Sequence, residues 1–81
     1  MNREEILEKL NRLFKDFFDD ENIAITDETV DSDIDGWDSF EHINLMVAVQ
    51  DEFDIEIPMG KIICLHNVGE LVDIIFELIN Q

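Results

Sequence analysis

The chain has 81 residues, with five basic side chains against 21 acidic ones, for a net charge of −16. That length holds one domain, 1–81, with a small core, and is short for an enzyme with a sequestered pocket. No lysine or arginine falls between Lys15 and Lys61. This argues against nucleic acid or anionic membrane as partners and suits a soluble monomer steered onto basic proteins.

The chain opens on a helix. Asn2 and Glu5 form an N-cap pair. Ile6, Leu7, Leu10, Leu13, Phe14, Phe17 and Phe18 then recur at helical spacing, which predicts a helix from about Arg3 to Phe18. Met1-Asn2-Arg3-Glu4-Glu5 reads as the start of that charged helix rather than as a signal peptide, and no apolar run is long enough to cross a bilayer. The cytoplasm is the expected compartment. Asp19-Asp20-Glu21 ends the helix, and residues 19–37 form a long acidic loop. Its apolar residues Ile23, Ile25, Val30 and Ile34 are expected to pin it across the helix ends. Trp37 has two readings, a lid on the core or a surface residue near Ser39.

The second helix starts within Asp35-Gly36-Trp37-Asp38-Ser39-Phe40-Glu41 and runs to Phe53. Asp38 followed by Glu41 reads as a capping box, and Gly36 supplies freedom for the turn. Ser39 is therefore not needed as a cap. Leu45, Met46, Val49 and Phe53 fall on one arc of this helix and form a core stripe. Phe40, Ile43 and Val47 fall on a second arc, with Asn44 and Asp51 along its edge. A helix apolar on two faces is either sandwiched inside its domain or keeps one face for docking. A full sandwich is hard to build in so short a chain.

After Pro58, Met59-Gly60-Lys61-Ile62-Ile63-Cys64-Leu65 is long enough for one or two helical turns. Asn67 and Glu70 make another box-like start. Val68, Leu71, Val72, Ile75, Leu78 and Ile79 give a last amphipathic helix. No alternating strand pattern competes. The expected fold is all-α, a small four-helix bundle of three longer helices and one short one, with a long first loop. Cys64 is the only cysteine, so it forms no internal disulfide and no zinc cluster. Lying in an apolar run, it is expected to be buried and inert.

Two chemistries compete for the middle of the chain. Asp31-x-Asp33-x-Asp35-Gly36 matches the first half of an EF-hand calcium loop. The match then fails, because His42 stands where the closing carboxylate belongs and the entering helix is poor. Ser39 as a nucleophile would need an oriented base. His42 lies nearer the core arc than the docking arc, His66 is remote, and no Gly-x-Ser-x-Gly elbow surrounds Ser39. No catalytic residue and no metal ligand is assigned. A small acidic calcium-binding or adaptor protein is the alternative class of function.

Gly36-Trp37-Asp38-Ser39-Phe40, then Ile43, Leu45, Met46 and Val49, then Glu52-Phe53-Asp54-Ile55-Glu56-Ile57-Pro58, resembles the acyl carrier protein family. It is also similar to peptidyl and D-alanyl carriers. The resemblance covers nearly the whole chain. An Asp-Ser pair alone carries no signal; joined to the hydrophobic spacing, the Phe-x-Ile-x-Ile-Pro exit and the length, it is specific. Leu is the family's commonest residue after the serine, and Phe40 stands there. The resemblance implies covalent 4′-phosphopantetheine on Ser39, placed there by a phosphopantetheinyl transferase. The arm's thiol would hold acyl or aminoacyl groups as thioesters for fatty-acid, polyketide or related biosynthesis. Asp38, Phe40, Glu41, Ile43, Val47, Asp51 and Glu56 would then meet the transferase and the loading and processing enzymes, through basic docking surfaces. A long acyl chain would tuck against Leu45, Met46, Ile62 or Ile75.

Overall fold

A computed structural model describes residues 1–81. Its elements are α1 (Arg3–Phe18), α2 (Ser39–Phe53), α3 (Met59–Ile63) and α4 (Val68–Ile79), with one 3-10 turn at Asp31–Asp33 in the first loop. Each long helix begins where its cap predicts. Asn2 Oδ1 accepts from Glu5 N–H at 2.8 Å while Glu5 Oε1 accepts from Asn2 N–H at 3.0 Å, a complete capping box. The other two boxes are half-made. Asp38 Oδ1 accepts from Glu41 N–H, but Glu41 Oε1 accepts from the Asn44 amide instead of returning to Asp38. Asn67 Oδ1 accepts from Glu70 N–H, and the Glu70 carboxylate takes the N–H of His66.

The ends of α1 and α2 share one device. Asp19 and Asp54 adopt left-handed backbone, at φ 51° and 54°. The next residue's N–H then reaches back five positions, Asp20 to Lys15 O and Ile55 to Gln50 O. This satisfies carbonyls that a helix end leaves orphaned.

The core gathers one stripe from each helix. Ile6, Leu10 and Phe14 of α1, Leu45, Met46, Val49 and Phe53 of α2, Ile62 of α3, and Val68, Leu71, Val72 and Ile75 of α4 are all buried. α1 packs against both α2 and α4. The long loop closes the remaining side with three of its four apolar residues; Val30 is not packed on the core. Ile23 and Ile25 are buried and Ile34 packs on the core. Asn11 Oδ1 on α1 accepts from Ile25 N–H at 2.8 Å. The loop also caps α4: Val68 N–H donates to Thr29 O and Gly69 N–H to Asp27 O, at 2.9 and 2.8 Å. Arg3 ties α1 to both partners through Asp27 and Asp73.

Cys64 departs from the expectation of burial: it is exposed. In the five-residue α3 only Ile62 reaches the core, and Ile63 and Cys64 follow it around to solvent.

Two stability predictions follow from this packing. Gly69→Ala is expected to lower the melting temperature by several degrees, although Ala is normally the better helix former. A Cβ at Gly69 would lie 2.9 Å from the Asp27 carbonyl oxygen and 3.1 Å from Asp27 Cβ, so the loop that caps α4 must shift, at a cost of about 1–3 kcal/mol. A thermal melt at or above the wild-type value would show that the loop yields freely. Val49→Glu and Leu45→Glu should abolish the cooperative melt seen by circular dichroism, because both positions are 0% exposed and a buried unpaired carboxylate costs several kcal/mol. Val47→Glu should melt within a few degrees of wild type. Equal loss at Val47 and Val49 would mean that both faces of α2 are buried.

Candidate functional site

Ser39 is the first residue of α2 and is exposed. The turn before it is set by Gly36, whose φ of +90° suits glycine; the nearest neighbour of a Cβ there, Phe18 Cδ1, is at an ordinary 3.7 Å. The constraint at Gly36 is therefore conformational, not steric. Asp38 performs the capping, with Oδ1 2.8 Å from Glu41 N. The Ser39 hydroxyl is thereby released from the role a serine usually plays at a helix start.

Trp37 takes the first of its two readings and lies half-buried over the core. Its ring meets Phe14 edge-on at 5.3 Å between centroids and Phe18 at 6.3 Å. It also stacks on His42 at 5.9 Å and 21°. The indole Nε1–H donates to His42 Nδ1 at 3.0 Å, and His42 Nε2 lies 2.9 Å from Ile62 O. Both imidazole nitrogens are thus engaged away from Ser39, and His42 is not placed as a base for its hydroxyl.

The second arc of α2 faces outward. Phe40 is 75% exposed and Val47 53%, with Ile43 more shielded at 38%. Asp38, Asp51 and Glu56 are exposed around them and Glu41 is partly so. Two exposed apolar residues of α3, Met59 and Ile63, were not singled out from the sequence. Their outward turn follows from the docking of α3, in which Ile62 alone enters the core.

Beside Ser39 a groove of about 580 Å³ runs between α2, α3 and the start of α4. Trp37, His42, Ile43, Ile63, Leu65 and Leu71 form much of its lining, with Asp31, Asp38 and His66 among the polar residues. The expected contacts for a cargo chain, Leu45, Met46, Ile62 and Ile75, do not line it. They are committed to the core, where the close packing of so small a chain leaves them no open face. At the groove's rim the Glu70 carboxyl is held below its ordinary pKa, chiefly by the hydrogen bond it accepts from His66 N–H.

The acidic loop is folded by local bonds. Asp33 Oδ2 accepts from Val30 N–H within the 3-10 turn, and Asp31 turns to the groove. Asp31, Asp33 and Asp35 do not converge on a common point.

No family model matches the chain. Individual relatives do. The acyl carrier protein of Caulobacter vibrioides is 32% identical over 73 residues, which cover 90% of this chain and 94% of that one. The mitochondrial acyl carrier protein of Saccharomyces cerevisiae is 40% identical over 63 residues, 72% of this chain and 50% of that one. In three dimensions the chain superposes on the solution NMR structure of the holo acyl carrier protein of Geobacter metallireducens. The TM-score is 0.86 at 37% identity, covering 93% of this chain and 86% of that one. Sequence likeness along nearly the full length, joined to the same helical architecture, places this chain in the acyl carrier protein family.

Proposed function

We propose that residues 1–81 act as one carrier domain that holds acyl intermediates on 4′-phosphopantetheine joined to Ser39, and presents them to partner enzymes. The observation that carries this reading is the Ser39 hydroxyl, exposed and uncommitted at the head of α2, between an outward apolar face and a groove. The residues present fit the group. A phosphodiester on Ser39 would sit at the positive end of the α2 dipole, where anions are favoured. The bound arm supplies a terminal thiol that holds an acyl group as a thioester.

The chain's own residues do the rest. Asp38 fixes the start of α2 and so the position of Ser39. Phe40, Ile43 and Val47 offer the apolar contact, and Asp38, Glu41, Asp51 and Glu56 the acidic rim, to a phosphopantetheinyl transferase and to loading and processing enzymes with basic surfaces. None of these roles asks the chain to catalyse a reaction. No helix is long and apolar enough to cross a membrane, and the cytoplasm is the proposed compartment.

Incubated with a broad-specificity transferase, Mg²⁺ and coenzyme A, the chain should gain one phosphopantetheine by intact mass, and Ser39→Ala should gain none. An unmodified wild type across several transferases, or a modified Ser39→Ala, would sink the assignment.

Val47→Glu is expected to keep the fold and to lower kcat/KM for transfer by about tenfold, the order of one lost apolar anchor at an interface. Raising ionic strength should slow transfer to the wild type as well, since exposed charges are screened beyond ~10 Å at 0.1 M salt. Transfer indifferent to both changes would mean that partners dock elsewhere.

A further inference from the structure

The corner beside Ser39 is organised by one imidazole. His42 accepts the Trp37 indole N–H at Nδ1 and meets the Ile62 carbonyl oxygen at Nε2. An indole N–H can only donate and a carbonyl can only accept. Both contacts are therefore hydrogen bonds in one state of the ring alone, the neutral tautomer with its proton on Nε2. A doubly protonated ring keeps the bond to Ile62 but turns an N–H toward the indole N–H, and the Trp37 bond is lost.

α3 depends on its half of this bridge. It has five residues, and Pro58 before it supplies no side-chain cap. Helices this short do not sustain themselves. The Ile62 carbonyl is one of the last in the helix and has no partner within it. The bond from His42 ties it to α2, alongside the burial of the Ile62 side chain. Trp37 and Ile63, on either side of this bridge, are both walls of the groove at Ser39.

We infer that His42 is a positioning residue for this groove: neutral, it ties Trp37 to α3, and its protonation releases Trp37 while α3 keeps its bond to the ring. The groove presented to whatever Ser39 carries is then pH-dependent. That consequence rests on the carrier reading of Ser39; the lock itself does not.

The charged groups around the ring come from every neighbouring element. Asp31 from the loop, Asp38 from the head of α2 and His66 from before α4 line the same groove, and the His66 ring is paired with Glu70. Glu41 is the neighbour of His42 on α2, and the exposed Lys61 precedes Ile62 on α3. α1 contributes Phe14 and Phe18, both against Trp37.

The chain has a single tryptophan, which makes the test direct. The indole Nε1–H resonance of the ¹⁵N-labelled, unmodified chain is followed from about pH 8 to pH 5, the range in which histidines titrate. It should move along a one-proton curve that matches the ring resonances of His42 and not those of His66. Over the same range the Ile62 amide, which donates to Pro58 O at 3.2 Å, should keep its exchange protection, because the Nε2–H that holds the Ile62 carbonyl is present in both states of the ring. His42→Phe, which keeps the stacking but neither bond, should show an unprotected Ile62 amide at every pH. His42→Gln should abolish the titration of the indole.

A flat indole resonance overturns the inference, as does a curve that follows His66. Equal Ile62 protection in His42→Phe and wild type does the same. If His42→Phe fails to fold, the wild-type titration decides alone. The experiment needs no transferase, so failure to modify Ser39 and failure of this lock are separate outcomes.

Discussion

A chain of this size can bury one face of α2 and no more, and the rest of the structure is arranged around that limit. Leu45, Met46 and Val49 are covered completely. Covering Phe40 and Val47 as well would need a further layer of helix, and the only element left after α2 and before α4 is the five-residue α3. The apolar arc that starts at Phe40 is therefore left in water, at a cost in free energy that a protein with no use for the surface would be expected to avoid. The same limit explains the tight fit elsewhere. The long loop must lie so close to α4 that position 69 has room for glycine and nothing larger.

The position of Ser39 follows from a division of labour within three residues. Gly36 makes the turn, Trp37 anchors it to Phe14 and Phe18, and Asp38 satisfies the Glu41 N–H in the first turn of α2. The serine hydroxyl is left over. It emerges with the apolar arc of α2 on one side and the groove on the other, and Ile43 belongs to both. In the proposed carrier role this gives a partner enzyme a contact surface next to the attachment point. The acidic excess of the surface would draw basic partners in from a distance, while the apolar arc would decide which of them stay.

By itself the sequence determined the helices and the division of α2. The bounds of α1, the cap of each long helix, the two arcs and the spare serine are local consequences of side-chain periodicity and of backbone N–H groups that need partners. Short-range physics of that kind is written in neighbouring residues. The pinning of the loop by Ile23, Ile25 and Ile34 was also legible, because buried apolar side chains in a long loop have few other uses. Tertiary structure alone decided the rest. Whether Trp37 lay on the core or beside Ser39 depended on Phe14 and Phe18, about twenty residues upstream. The inward turn of Ile62 and the outward turn of Ile63 and Cys64 depended on how a helix of barely more than one turn docks, which its own pattern is too short to specify. The groove belongs to no single segment. It exists where α2, α3 and the start of α4 fail to touch, and the shape of a gap is fixed by long-range packing rather than by the residues that happen to face it.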